Sequence, residues 1–126
     1  STLAGIGSGQ LADNNLTLEC RSMPVNSFAF FLTSQVQGFT ANPGGSEGNL
    51  CLSGAIGRYV GPGQILQAGA AGSVSLLIDL TQIPSPTGFV AAGVGETWNF
   101  QTWFRDSSAQ GQAVSNFSSG LEVTLQ

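Results

Sequence analysis

The sequence predicts an all-β protein: a two-sheet antiparallel β-sandwich, of jelly-roll or immunoglobulin-like type, with about seven to nine strands. Three observations carry this expectation. Apolar residues recur at every second position in several short runs, the periodicity of half-buried strands. Glycine and proline clusters punctuate those runs, in SMPVN, TANPGGSEGN, YVGPGQ, IPSPTG and SSAQGQAVSN. No sustained helical period competes; SGAIGRY and QILQAGAAG would give a turn or two at most, and glycine weakens both.

Taken in order, NNLTLECR puts Leu16, Leu18 and Cys20 on one face and Asn15, Thr17, Glu19 and Arg21 on the other. SFAFFLTSQ groups Phe28, Phe30 and Leu32 against Ala29, Phe31 and Thr33. NPGGSEGN offers little to bury and reads as a mobile loop. GSVSLLIDLT aligns Val74, Leu76, Ile78 and Leu80, and SGLEVTLQ aligns Leu121, Val123 and Leu125. No internal repeat or domain boundary interrupts the pattern, so residues 1–126 read as one sandwich domain. The opening STLAGIGSGQ has neither a methionine nor a basic leader, and reads as a processed or excised boundary of a longer secreted polypeptide.

Charge is scarce. Three arginines stand against seven acids, with no lysine and no histidine, for a net charge of −4. The surface must therefore be built mainly from Ser, Thr, Asn, Gln and Gly, which suits an extracellular or cell-surface module, or a subunit that packs on copies of itself. Scattered arginines on an acidic chain argue against nucleic acid as a partner. No apolar run approaches the roughly 18 residues a membrane span requires.

The missing histidine removes the Ser-His-Asp triad, the Cys-His pair and imidazole metal sites, and no catalytic residue is assigned. A carboxylate pair such as Asp79 and Asp106 is the remaining route to an enzyme, through hydrolysis of a glycosidic bond. No cofactor is expected. Calcium is weighed only at Asp13, Asn14 and Asn15, where the turn-forming reading is preferred because no DxDxDG-like spacing is present. Cys20 and Cys51 are the only thiols. In an oxidising compartment they form a candidate disulfide, closing a loop of about thirty residues at a gain of about 3–4 kcal/mol in the chain-entropy picture; two reduced thiols are the alternative.

The stretch ETWNFQTWFRDSS holds both tryptophans. As a strand it places Trp98, Phe100, Thr102 and Phe104 toward a core, and Asn99, Gln101, Trp103 and Arg105 on the opposite face. One large aromatic among two amides and a guanidinium has the make-up of a saccharide-binding face, with the ring stacking on a pyranose and the polar groups bonding its hydroxyls. The competing reading covers Trp103 with a loop or a neighbouring strand, with Arg105 stacked on it or paired to Asp106 or Glu96. Tyr59 and Phe39, beside glycine-rich turns, are further candidates to line a cleft.

The runs SFAFFLTSQVQGF, NPGGSEGNLCLSGAIGRYVGPGQI, SLLIDLTQIPSPTGF, GETWNFQTWFRDS and SNFSSGLEVTL, spanning about Leu16 to Leu125, carry a resemblance. The chain resembles a C-terminal accessory domain common in secreted multidomain proteins of Planctomycetes and other environmental bacteria. The resemblance implies a non-catalytic β-rich unit outside the cell, carried behind hydrolase, protease or adhesion-like regions. Members often read SGLP where this chain has CRSMP, so Cys20 departs from the pattern. Two functions are expected to compete: binding a polysaccharide or surface glycan, and a structural role in assembly or anchoring, for which the polar last strand ending at Gln126 suits edge pairing.

Overall fold

The computed structural model describes residues 1–46, 48–107 and 111–126; Glu47 of the NPGGSEGN loop and residues 108–110 of SSAQGQAVSN lie outside the described residues. In chain order the strands are β1 (Thr2–Ile6), β2 (Thr17–Arg21), β3 (Phe28–Ser34), β4 (Val36–Ala41), β5 (Asn49–Ser53), β6 (Gly57–Arg58) and β7 (Leu66–Gln67). They continue with β8 (Val74–Leu77), β9 (Ile83–Ser85), β10 (Gly88–Val90), β11 (Thr97–Ser107), β12 (Ala113–Phe117) and β13 (Leu121–Thr124). The protein is all-β and antiparallel, as expected. Its described strands number thirteen rather than seven to nine, the excess lying in two- and three-residue pieces (β6, β7, β9 and β10) where turn residues interrupt the ladders.

Two sheets make the sandwich. One runs β1-β2-β8; the other runs β12-β11-β3-β6, with β13 also on β11 and β7 also on β3. Leu18, Cys20 and Val74 from the first sheet meet Ala29, Phe31, Phe100 and Phe104 from the second in one apolar cluster. Phe31 and Phe100 are wholly buried, and each contributes on the order of 2–3 kcal/mol relative to exposure. β3 thus turns Ala29, Phe31 and Thr33 toward the core and leaves Phe30 and Leu32 on the outer face.

That outer face is not left to water. The β4–β5 hairpin lies against β11 and forms a partial third layer. The Cys51 N–H donates to Gln101 Oε1 (2.9 Å), and Gln101 Nε2 donates to Asn49 O (2.8 Å). The same amide nitrogen donates to Ser118 O at 2.7 Å, where the edge of β11 passes from β12 to β13. Ser118 closes the gap, its N–H donating to Thr102 O and its hydroxyl accepting from the Thr102 N–H, both at 2.9 Å.

The layering corrects the disulfide expectation. Cys20 and Cys51 are both free. Cys20 faces the sandwich interior, whereas Cys51 sits on the hairpin that covers the other side of the large sheet. Packed layers are about 10 Å apart, and a disulfide needs Cα atoms roughly 4.4–6.8 Å apart. Among the described residues β13 pairs with β11 alone, and just beyond it the Gln126 N–H donates to Gly9 O (3.0 Å) and Gln126 O accepts from the Leu11 N–H (2.9 Å). Among the described residues, no helix is long and apolar enough to cross a membrane.

Candidate functional site

Antiparallel register places Phe30 of β3 opposite Trp103 of β11, and Trp103 opposite Phe117 of β12. Directly paired residues share a face, so three aromatic rings stand in a row across the outer surface of the large sheet. The Trp103 and Phe30 ring centroids are 4.8 Å apart with an interplanar angle of 25°, a stacked pair. The Arg105 guanidinium carbon lies 5.2 Å from the Trp103 ring centre, within cation–π range. All three rings are half-buried.

The row floors a cleft of about 500 Å³. The turn at Pro43 and Gly44 and the side chain of Leu50, all from the hairpin, form one wall. Ile56 and Arg58 also line it, and Ser115 adds a hydroxyl. Arg58 reaches this face because β6 pairs with β3, opposite Leu32. Half-buried aromatics, a few polar groups and a cation are the ordinary lining of a small-ligand or saccharide cleft.

The residues picked out in the sequence separate into two groups. Trp103 and Arg105 do lie on the outer face beside a cleft, Trp103 half-buried and Arg105 exposed. Asn99 and Gln101 lie on that same face but at 4% and 0% exposure, beneath the hairpin. Gln101 is fully engaged with the backbone, and Asn99 Nδ2 donates weakly to Ser34 O at 3.4 Å while its Oδ1 has no partner. Neither amide is offered to a ligand in the cleft. Tyr59 joins the core at 2% exposure; burial, with Asp79 nearby, pushes its phenol well above the ordinary range. Phe39 is exposed at the irregular part of β4 and does not line the cleft.

Phe30, Phe117 and Arg58 were missed. Alternation puts Phe30 on a strand face, but only the register shows that this face is the one carrying Trp103. SNFSSG holds no signal that Phe117 sits beside it.

The turn weighed for calcium is held by ordinary hydrogen bonds. Asn14 Oδ1 accepts from the Leu80 N–H (2.8 Å), Asn14 Nδ2 donates to Asp79 Oδ1 (3.0 Å), and Asn15 Oδ1 accepts from the Ser8 N–H (2.9 Å). Asn14 adopts φ 43°, the left-handed conformation asparagine tolerates best among residues with a side chain. Among the described residues, no group of three His, Cys, Asp or Glu side chains is placed to hold a metal ion.

Neither a scan against protein-family models, nor a search of curated proteins, nor a search of solved structures returns a match to this chain.

Proposed function

We propose that this domain is a non-catalytic, extracellular accessory module that binds a polysaccharide or surface glycan in the cleft floored by Phe30, Trp103 and Phe117. One observation carries the reading: the three-strand aromatic row beside an open cleft. Pyranose rings present C–H surfaces that pack on aromatic side chains, and their hydroxyls take hydrogen bonds from groups at the rim. The platform is the row as a whole, since the Trp103 ring already contacts Phe30 and Arg105. The resemblance to accessory domains of secreted proteins supports the same role, with an attached region supplying any chemistry.

The test is a glycan array and an insoluble-polysaccharide pull-down on the wild-type domain, Trp103→Ala and Phe117→Ala, with thermal unfolding as the control for folding. Retention by the wild type and a loss of about five- to thirtyfold in either folded variant is the expected result, a ring contact being worth on the order of 1–2 kcal/mol. A folded wild-type domain that retains nothing removes the reading.

A structural role in assembly is favoured by a different observation. Phe28, Phe39, Leu77 and Phe89 are all more than half exposed on a surface with little charge. Such residues suit packing against another copy or a neighbouring domain. Sedimentation over a hundredfold concentration range separates the two roles: concentration-dependent association favours assembly, and a monomer throughout removes self-assembly.

A further inference from the structure

We infer that the ligand of the Trp103 cleft is an anionic saccharide, bearing uronate carboxylates or sulfate esters, held by Arg58 and Arg105; this rests on the saccharide reading above. The chain has only three arginines and no other basic side chain, on a protein of net charge −4. Two of the three serve one face. Arg58 lines the cleft, and Arg105 stands over Trp103, the middle ring of the aromatic row. The third, Arg21, pairs with Glu19 on the opposite sheet.

Among the described residues, neither Arg58 nor Arg105 forms a salt bridge, Arg21–Glu19 being the only one, and no carboxylate lines the cleft. Asp79 borders an adjoining hollow that Arg58 also touches, and its Oδ1 is held by other partners. It accepts from the Thr81 hydroxyl (2.6 Å), the Thr81 N–H (2.9 Å) and the Asn14 amide (3.0 Å). Both guanidinium groups therefore stand exposed, and their forked donors match a carboxylate or sulfate.

Their spacing favours a chain over a single sugar. Arg58 stands level with Gln101, since both pair with Leu32 of β3. It is two strands across from β11 and four residues along from Arg105, roughly 10 Å in one direction and 14 Å in the other. Phe30 and Trp103 lie between the two charges, while Phe117 lies on the far side of the Arg105 strand. An extended saccharide can rest sugar faces on these two rings and place an acidic group near each arginine.

The experiment compares polysaccharides that differ in charge and share a backbone: polygalacturonate against its methyl ester, and dextran sulfate against dextran. Polyglutamate serves as an anion without sugar rings. Affinity electrophoresis or titration calorimetry is run on the wild type, Arg58→Gln, Arg105→Gln and Trp103→Ala, each checked for folding. The expected result is preference for one anionic partner over its neutral match, a loss of about tenfold for each arginine variant, as a charge-assisted hydrogen bond implies, and weak binding to polyglutamate.

Equal binding of charged and neutral partners, unchanged in both arginine variants but lost in Trp103→Ala, overturns the charge inference and leaves the saccharide reading standing. Binding of polyglutamate as tightly as polygalacturonate, indifferent to Trp103→Ala, shows a generic anion surface and overturns it as well. No binding of any polysaccharide by the folded wild type overturns both.

Discussion

Gln101 shows how one side chain decides what a surface can do. Its position in the alternation of β11 predicts an amide facing outward, and in direction it does. The carboxamide is nonetheless wholly buried, where it exchanges hydrogen bonds with backbone groups of β5 and of the β12–β13 break. Replacing Gln101 by Leu leaves the Cys51 N–H and two carbonyls without it, so a loss of about 2–4 kcal/mol is expected in urea unfolding. A loss below about 0.5 kcal/mol, the level of an ordinary surface change, contradicts this role. Glu96 acts through its charge. The Gly93 N–H, and secondarily the Trp98 indole N–H, donate to its carboxylate and hold its pKa below the ordinary value. A depressed folded-state value stabilises the fold above the unfolded-state pKa, and that contribution disappears as pH falls through the folded value. The urea midpoint of the wild type is expected to fall between about pH 5 and 3, and Glu96→Gln to flatten that part of the curve. Asp79, lowered chiefly by the Thr81 hydroxyl, has the same sign and keeps the variant's profile from becoming fully level.

At the scale of elements, the short strands depend on close backbone approach. Gly57 in β6 pairs with Thr33 of β3, and a Cβ there would stand 1.8 Å from the Pro84 carbonyl oxygen of β9. Only a residue without a side chain lets β9 lie against β6. Gly57→Ala is expected to cost about 3 kcal/mol or more, because backbone must move rather than a flexible side chain. Gly63 provides the comparison: at φ +75° with nothing within 4 Å of its Cβ position, its alanine variant carries only the left-handed penalty, about 1–2 kcal/mol. Melting curves of the two variants should therefore separate, and equal losses would refute the packing account. The hairpin β4–β5 also explains why period-2 alternation was correct about faces and wrong about exposure. β11 has two faces, as its sequence indicates, but a third layer covers the Asn99–Gln101 half and stops short of Trp103.

At the scale of the molecule, the large sheet keeps the two cysteines apart. Cys20 is in the interior, where burial pushes its thiol above the ordinary range. Cys51 is partly accessible on the covering hairpin, its sulfur 3.9 Å from Asn49 O. A thiol reagent added without reductant should modify one residue in the native protein, mapped to Cys51, and Cys20 only on unfolding, since reactivity follows thiolate exposure. Finding no reactive thiol even in denaturant would instead demonstrate a disulfide and a different arrangement of layers. The Trp103 cleft is also a property of the whole assembly: its floor comes from β3, β11 and β12, and its walls from the hairpin turn and β6.

The sequence by itself determined the all-β class, the strand runs, the core-facing set of Leu18, Phe100 and Phe104, and the lack of histidine chemistry. These are local properties, because a side chain's face follows from its parity along the strand. Only the tertiary structure decided which face β3 turns to the core, that Asn99, Gln101 and Tyr59 are buried, and that Phe30, Phe117 and Arg58 join Trp103. Those depend on strand register and on what packs over a sheet, both set by contacts between residues far apart in the chain, which a local periodicity does not contain.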